Sequence, residues 1–291
     1  MFNVITHGKK FFALSIILVV AGIISLFAQG INWDMDFVGG TSLQINLGQE
    51  FENSEIEEMV AEIIGTEPVV RRVGDTGHEV MIQTISLESD MRDAIYTALA
   101  ERFDITDMES AIISSESFSA IVGQELRTSA LWALIIVIAL VLIYITIRFE
   151  FLSGIATILT MAHDIFIMIA VQSIFQLPVN LTFVAAILTI LGLSINNTIV
   201  VFDRVRENLK SSKKGTPIAE TVNSSIWQTM RRSVITSSTT FLMVLLLFIL
   251  GVPSLRQFAL PLMVGIAVGT YSSIFIVGPL WLTFIGKESK S

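Results

Sequence analysis

Six stretches of this chain stay apolar for about the thickness of a bilayer, and that pattern limits the fold more than any motif does. The first, Phe11 to Ala28, is an uncharged run of 18 residues behind Lys9 and Lys10, about 27 Å as a helix. No Ala-x-Ala-like exit follows it, so it reads as a retained signal anchor rather than a cleaved signal peptide. Further spans are expected at 129–147, 152–175, 180–202, 233–250 and 257–286, the last with room for a tilt or a kink at Gly278-Pro279. An α-helical membrane protein of six transmembrane helices follows.

Charge shows what is inserted between the first two spans. Residues 30–128 hold 20 of the 26 acidic residues but only 5 of the 18 Lys and Arg, so that segment is −15 and the remainder +7. An acidic block inside an apolar chain reads as a water-facing domain, and a net charge of −8 argues against a nucleic-acid partner. Lys and Arg sort by side if the N-terminus is cytoplasmic. Lys9, Lys10, Arg148, Arg204, Arg206, Lys210, Lys213, Lys214, Arg231, Arg232, Lys287 and Lys290 then lie inside, and the short outer loops carry only Arg256. The expected organisation is a cytoplasmic N-terminus and first span over 1–29, an extracytoplasmic domain over 30–128, and a five-helix membrane domain over 129–286. A cytoplasmic loop is expected at 203–232 and a cytoplasmic tail at 287–291.

Inside the insert, an extended run Thr41–Leu47 precedes a helical pattern from Ser54 to Ile64. Strand-like runs Glu67–Val73 and His78–Ile85 flank Gly74-Asp75-Thr76-Gly77, which suits a tight hairpin. A second helix over Glu88 to Arg102 places Met91, Ile95 and Leu99 on one stripe, and a last strand is expected near Met108–Ser115. The order βαββαβ is the ferredoxin-like arrangement, α+β with both helices on one face of the sheet. Between spans four and five, Thr216-Pro217 is a plausible helix start. Ile218, Val222, Ile226 and Met230 then form a stripe that fits either an interfacial helix or a helix packed on neighbouring spans.

With no cysteine in the chain, thiol catalysis, disulfides and zinc–thiolate sites are excluded. The Gly192-Leu193-Ser194 start of a serine-hydrolase elbow is incomplete, because Asn196 stands where the second glycine belongs. Asp164 lies mid-span and Asp203 at a span end, so an aspartic dyad is not formed. His7, His78 and His163 fall in three compartments, which leaves no histidine metal cluster. No enzyme, metal or cofactor is expected.

Ionisable and polar groups within spans cost about 2.5–3.5 kcal/mol each on insertion scales and are functional candidates by default. Asp164 beside His163 fits an ion pathway or a structural helix-packing pair. Asn196 and Asn197, in Ser194-Ile195-Asn196-Asn197-Thr198, fit helix glue or an ion contact. Arg232 fits a snorkelling anchor or an ion-linked cation ahead of Thr236-Ser237-Ser238-Thr239-Thr240. Gly265-Ile266-Ala267-Val268-Gly269 is a GxxxG packing motif. Asp164, Asn197, Arg232 and the Ser/Thr-rich helix are expected to leave a face too polar for lipid, suited to a second six-helix unit.

Six motifs in order resemble the SecD/SecF family of protein-export membrane proteins, within the resistance-nodulation-division (RND) superfamily. They are Asp36-Phe37-Val38-Gly39-Gly40-Thr41, Tyr144 with Arg148-Phe149-Glu150, Ala162-His163-Asp164, the run Gly192 to Thr198, its continuation through Asp203-Arg204 to Asn208, and Arg232 through Thr240. The resemblance implies an accessory subunit of the Sec machinery that pairs with SecD, associates with the SecYEG channel, and helps move preproteins using the proton or sodium gradient. It also ties Arg232 and the Asn197 position to ion movement, beside which Asp164 is an ion-coupling candidate by its depth in the span, and Asp36, Phe37, Gly39, Gly40, Asp203 and Arg204 are candidates for structural roles. The family commonly carries an aspartate at the Asn197 position. An asparagine cannot carry a proton, so the titrating carboxylate facing Arg232 is expected from the partner, with Asp164 as the alternative donor. An RND-type exporter half for a small molecule or lipid is the second reading, though an insert of about 100 residues is small for capturing such a substrate.

Overall fold

The structure, a computed structural model, describes residues 3–74, 77–212 and 216–288. Asp75 and Thr76 of the expected hairpin turn, and Lys213, Lys214 and Lys290 of the expected cytoplasmic groups, lie outside the described residues. The chain divides into two compact units, residues 33–130 and residues 1–32 with 131–291.

The first helix, α1 (Gly8–Ala28), is the first membrane-length element. The unit that follows opens with a helical turn, α2 (Met35–Val38), then runs β1 (Gly40–Asn46), α3 (Asn53–Ile64), β2 (Val69–Val73), β3 (Glu79–Thr84), α4 (Ser89–Phe103), α5 (Met108–Ala111) and β4 (Ile112–Phe118). The sheet order is β2-β3-β1-β4 with every neighbouring pair antiparallel, the ferredoxin-like order expected from βαββαβ. Alternation does the sorting: Leu43 and Ile45 on β1 and Val80 and Ile82 on β3 point to one face, where Ile56 and Val60 of α3 and Ile95 and Leu99 of α4 cover them. The last strand starts later than expected. Met108–Ala111, expected as the start of the last strand, is a helical turn because Asp107 caps it, accepting from the amide and the hydroxyl of Ser110. The Ser110 hydroxyl, then its amide, hold the Asp107 carboxyl below the usual carboxylate range.

The second unit continues through α6 (Ala120–Arg148), α7 (Phe151–Ile174), α8 (Leu181–Ser211), α9 (Ile218–Leu250), α10 (Pro253–Phe275) and α11 (Val277–Glu288). Six helical stretches among the described residues are long and apolar enough to cross a membrane, α10 and α11 counting as one. That pair breaks at Ile276, just before the expected Gly278-Pro279, since Pro279 has no N–H to give the carbonyl of residue 275. The expected loop 203–232 is mostly helix: α8 runs on to Ser211 and α9 already starts at Ile218. Half of the stripe on that segment packs inward, with Val222 and Ile226 fully buried against Phe202, Val205 and Trp281, whereas Ile218 at its start is exposed. The GxxxG reading holds at contact level. A Cβ on Gly265 would stand 2.5 Å from Ile190, and one on Gly269 would meet Ser194 at 3.4 Å, so the two glycines let α10 lie directly on α8.

Candidate functional site

Three helices meet at one carboxylate. Asp164 sits midway along α7 and is fully buried. Its Oδ2 accepts the hydroxyl of Ser194 from α8 at 2.9 Å and that of Ser272 from α10 at 2.8 Å. Its Oδ1 lies 3.1 Å from Nδ1 of the neighbouring His163. The other ring nitrogen of His163, Nε2, is buried with no partner among the described residues. A carboxylate in an apolar bundle is tolerable only when its lone pairs are met, and here three groups meet them. Sequence reasoning placed Asp164 but missed Ser272, because a lone serine in an apolar span carries no periodic signal.

One turn along α8 from Ser194, Asn197 is also buried, and its Nδ2 donates to Ser237 Oγ of α9 at 3.2 Å. Asn196 points to the exposed side of the same helix. Arg232 is exposed on α9 and makes no hydrogen bond or ion pair among the described residues. Within this chain Arg232 and Asp164 are therefore not paired. The expected polar face also has a different membership. Asp164 and Asn197 are sealed inside, whereas Thr189, Asn196, Arg232, Ser238 and Thr239 are the polar groups left exposed.

Asp203 and Arg204 belong to a separate network at the far end of α8. Asp203 pairs with Arg148 of α6 at 3.1 Å, Arg206 donates to the Arg148 carbonyl, and Arg204 bonds Gln228 of α9 and Glu207. These side chains are largely solvated and individually contribute little. Their effect is to tie three helix ends into one register.

The Asp36–Gly40 motif lies in the other unit. Asp34 caps α2 by accepting from the Met35 amide at 2.8 Å, and Phe37 is buried. Trp33 packs against Phe37 with the two rings near perpendicular, and the Arg127 guanidinium lies over the Trp33 ring 4.5 Å from its centroid. Gly39 (φ +79°, ψ 160°) and Gly40 (φ +139°) adopt backbone that other residues rarely reach. A Cβ on Gly40 would stand 2.3 Å from the Thr84 carbonyl. The motif is a tight turn that hands the chain to β1 beside β3.

Residues 98–287 match the family model of the protein export membrane protein SecD/SecF, C-terminal region. The chain belongs to the SecD/SecF family. Among relatives in the SecD/SecF family, the protein translocase subunit SecF of Alicyclobacillus acidocaldarius is 35% identical over 99% of this chain and 94% of its own length. That of Haemophilus influenzae is 38% identical over 92% of this chain and 81% of its own. A crystal structure of SecDF from Thermus thermophilus, described as a translocon-associated membrane protein, superposes with a TM-score of 0.88 at 35% identity, covering 98% of this chain and 39% of that one. Membership of the SecD/SecF family, with six apolar helices, makes this a multi-pass membrane protein.

Proposed function

We propose that this chain works as the SecF-type accessory subunit of a Sec protein translocase, pairing with a SecD subunit and promoting preprotein export through SecYEG. The observation that carries the reading is the similarity to SecF subunits along nearly the whole of both chains, together with the superposition on 39% of a SecDF chain. In that solved protein a SecF-like portion is part of a longer chain named SecDF. The exposed Thr189, Asn196, Arg232, Ser238 and Thr239 support a partner too, because a lipid-facing surface does not hold an arginine and four polar side chains without cost. The matches are to protein-export proteins, so the exporter half for small molecules or lipids is not favoured. The termini are assigned to the cytoplasm and the 33–130 unit to the outer side, on the distribution of Lys and Arg.

Energy coupling is assigned to the ion gradient, with Arg232 facing a carboxylate of the SecD partner, while Asn197, sealed inside on Ser237, acts only through the α8–α9 contact. A proton reaching such a carboxylate removes its charge and weakens the pair, a switch between two arrangements. The test is export of a preprotein into inverted vesicles that contain the chain with its SecD and SecYEG partners, with and without an imposed ion gradient. Copurification of all components and a gradient-stimulated yield are expected. Equal yields from vesicles lacking the chain would overturn the assignment.

A further inference from the structure

Deepening the ion-coupling reading, on which it rests, we propose that His163 and Asp164 form a proton-relay pair, complete within this chain, whose loading loosens the grip of α8 and α10 on α7. The carboxylate is fully buried and its oxygens are occupied: Ser194 and Ser272 on Oδ2, His163 Nδ1 on Oδ1. In the resting state of the relay one proton is held on Nδ1 beside a charged carboxylate, which leaves Nε2 as a bare lone pair. That atom is buried with no partner among the described residues, on a side chain that is 13% exposed, so the ring has one nitrogen on the carboxylate and the other unmet.

Loading is then a balanced single step. A proton adds to the Nε2 lone pair and forms an N–H bond. The Nδ1–H bond breaks and its proton forms an O–H bond on Oδ1. The products are a neutral imidazole carrying hydrogen on Nε2 and a neutral carboxylic acid donating to Nδ1. One proton enters, the site changes from −1 to 0, and no other reactant is needed. The two hydroxyl bonds to Oδ2 lose their charge assistance, which makes charged hydrogen bonds roughly twice as strong as neutral ones. Those bonds are what α8 and α10 offer to the carboxylate of α7. Ser194 and Ser272 are positioning residues here, and Ser194 lies one turn from Asn197, whose bond to Ser237 leads to α9 and Arg232.

The packing fits a proton better than a larger cation. Both oxygens of Asp164 already have partners at hydrogen-bond distance, and Gly269 brings the α10 backbone close enough that a Cβ there would lie 3.7 Å from Oδ2. Helices α1, α8, α10 and α11 pack on α7, and α6 meets it at Gly154 through Leu142 and Thr146, with Arg148 at the end of α6 paired to Asp203. Among their described side chains, only Ser194 and Ser272 touch the carboxylate. Lys9 and Lys10 of α1 are exposed in its first turn. Asp203, Arg204, Arg206, Glu207 and Lys210 lie nine or more residues beyond Ser194 on α8. Arg256 lies in the first turn of α10, and Tyr271 turns its hydroxyl to the Phe11 carbonyl of α1. Among the described residues no charged side chain on these helices hydrogen-bonds to the His163–Asp164 pair.

Infrared difference spectra of the full chain in lipid, recorded as pH is lowered, test this directly. A protonated-carboxyl band that disappears in Asp164→Asn, shifts in Ser272→Ala and titrates at a different pH in His163→Gln is the expected result. In vesicles with the SecD and SecYEG partners, Asp164→Asn and His163→Gln should lower proton-gradient-driven export by about tenfold or more. Ser272→Ala should move the pH profile of the gradient-driven part of export. The relay is overturned if no band depends on Asp164, or if Asp164→Asn keeps full gradient-driven export while Arg232→Ala loses it, a result that leaves the wider reading intact. Driving by a sodium gradient at constant pH, with none by a proton gradient, also overturns the relay. Wild-type export indifferent to any gradient instead defeats the ion-coupling reading itself. Should Asp164→Asn not accumulate, the Ser272→Ala band shift and pH profile decide the matter alone.

Discussion

Asn197 and Ser237 are joined by a buried hydrogen bond, Nδ2 to Oγ at 3.2 Å, which ties α8 to α9 midway along both. Interhelical polar bonds in membranes average about 0.6 kcal/mol by double-mutant cycle, too little to explain the fold. Asn197→Ala, Ser237→Ala and the double variant, compared by thermal unfolding in detergent, should show a coupling near that size. A coupling of zero would mean the pair does not bridge the helices.

Arg232 and Arg231 are adjacent and both exposed, so they separate charge in general from a specific role. Arg231→Ala should leave gradient-driven export nearly unchanged, whereas Arg232→Ala should lose most of it with normal protein levels. Equal behaviour of the two would reduce Arg232 to an anchor.

Gly40 combines a positive φ with a carbonyl 2.3 Å from where a Cβ would go. Gly40→Val should destabilise the 33–130 unit by about 2–4 kcal/mol, read by limited proteolysis, and impair export more than membrane insertion. Export at wild-type level with normal accumulation would make the turn a passive linker.

Leu43 is fully buried at the centre of the sheet's covered face. Leu43→Ala should cost about 2–5 kcal/mol and expose that unit to protease, while Arg232-dependent gradient effects persist in the protein that remains folded. Protease resistance equal to wild type would contradict the core assignment.

Orientation is open to chemistry because the chain has no cysteine. Glu58→Cys and Arg231→Cys are both at exposed positions. An impermeant maleimide applied to intact cells stripped of their outer barrier should label the first, and the second only after permeabilisation. The reverse pattern would invert the topology.

Length, periodicity and charge were enough to find the spans and the ferredoxin-like insert, because both rest on properties a chain shows locally. A span is a run of apolar residues, and each strand of this sheet has one covered face, so Leu43, Ile45, Val80 and Ile82 announce themselves by alternation. Asp164 was legible for the opposite reason, as a charge where the solvent tolerates none. Helix ends were less so. Val222 and Ile226 form a stripe that suits a membrane surface or a helix neighbour equally, and only the packed bundle, with Phe202 and Trp281 waiting for them, chose the neighbour.

The sequence by itself determined how many times the chain can cross a bilayer, where the water-soluble domain is inserted, and which few residues pay an electrostatic penalty for their place. It could not say which of those residues meet. That Ser272 from the last span, rather than a hydroxyl of the Ser/Thr-rich fifth, reaches Asp164 depends on Gly265 and Gly269 letting α10 lie against α8. That Arg232 remains exposed while Asn197 is sealed depends on how α9 is rotated over α8. Rotation and close approach are set by shape complementarity between helices far apart in sequence, and no local pattern encodes them.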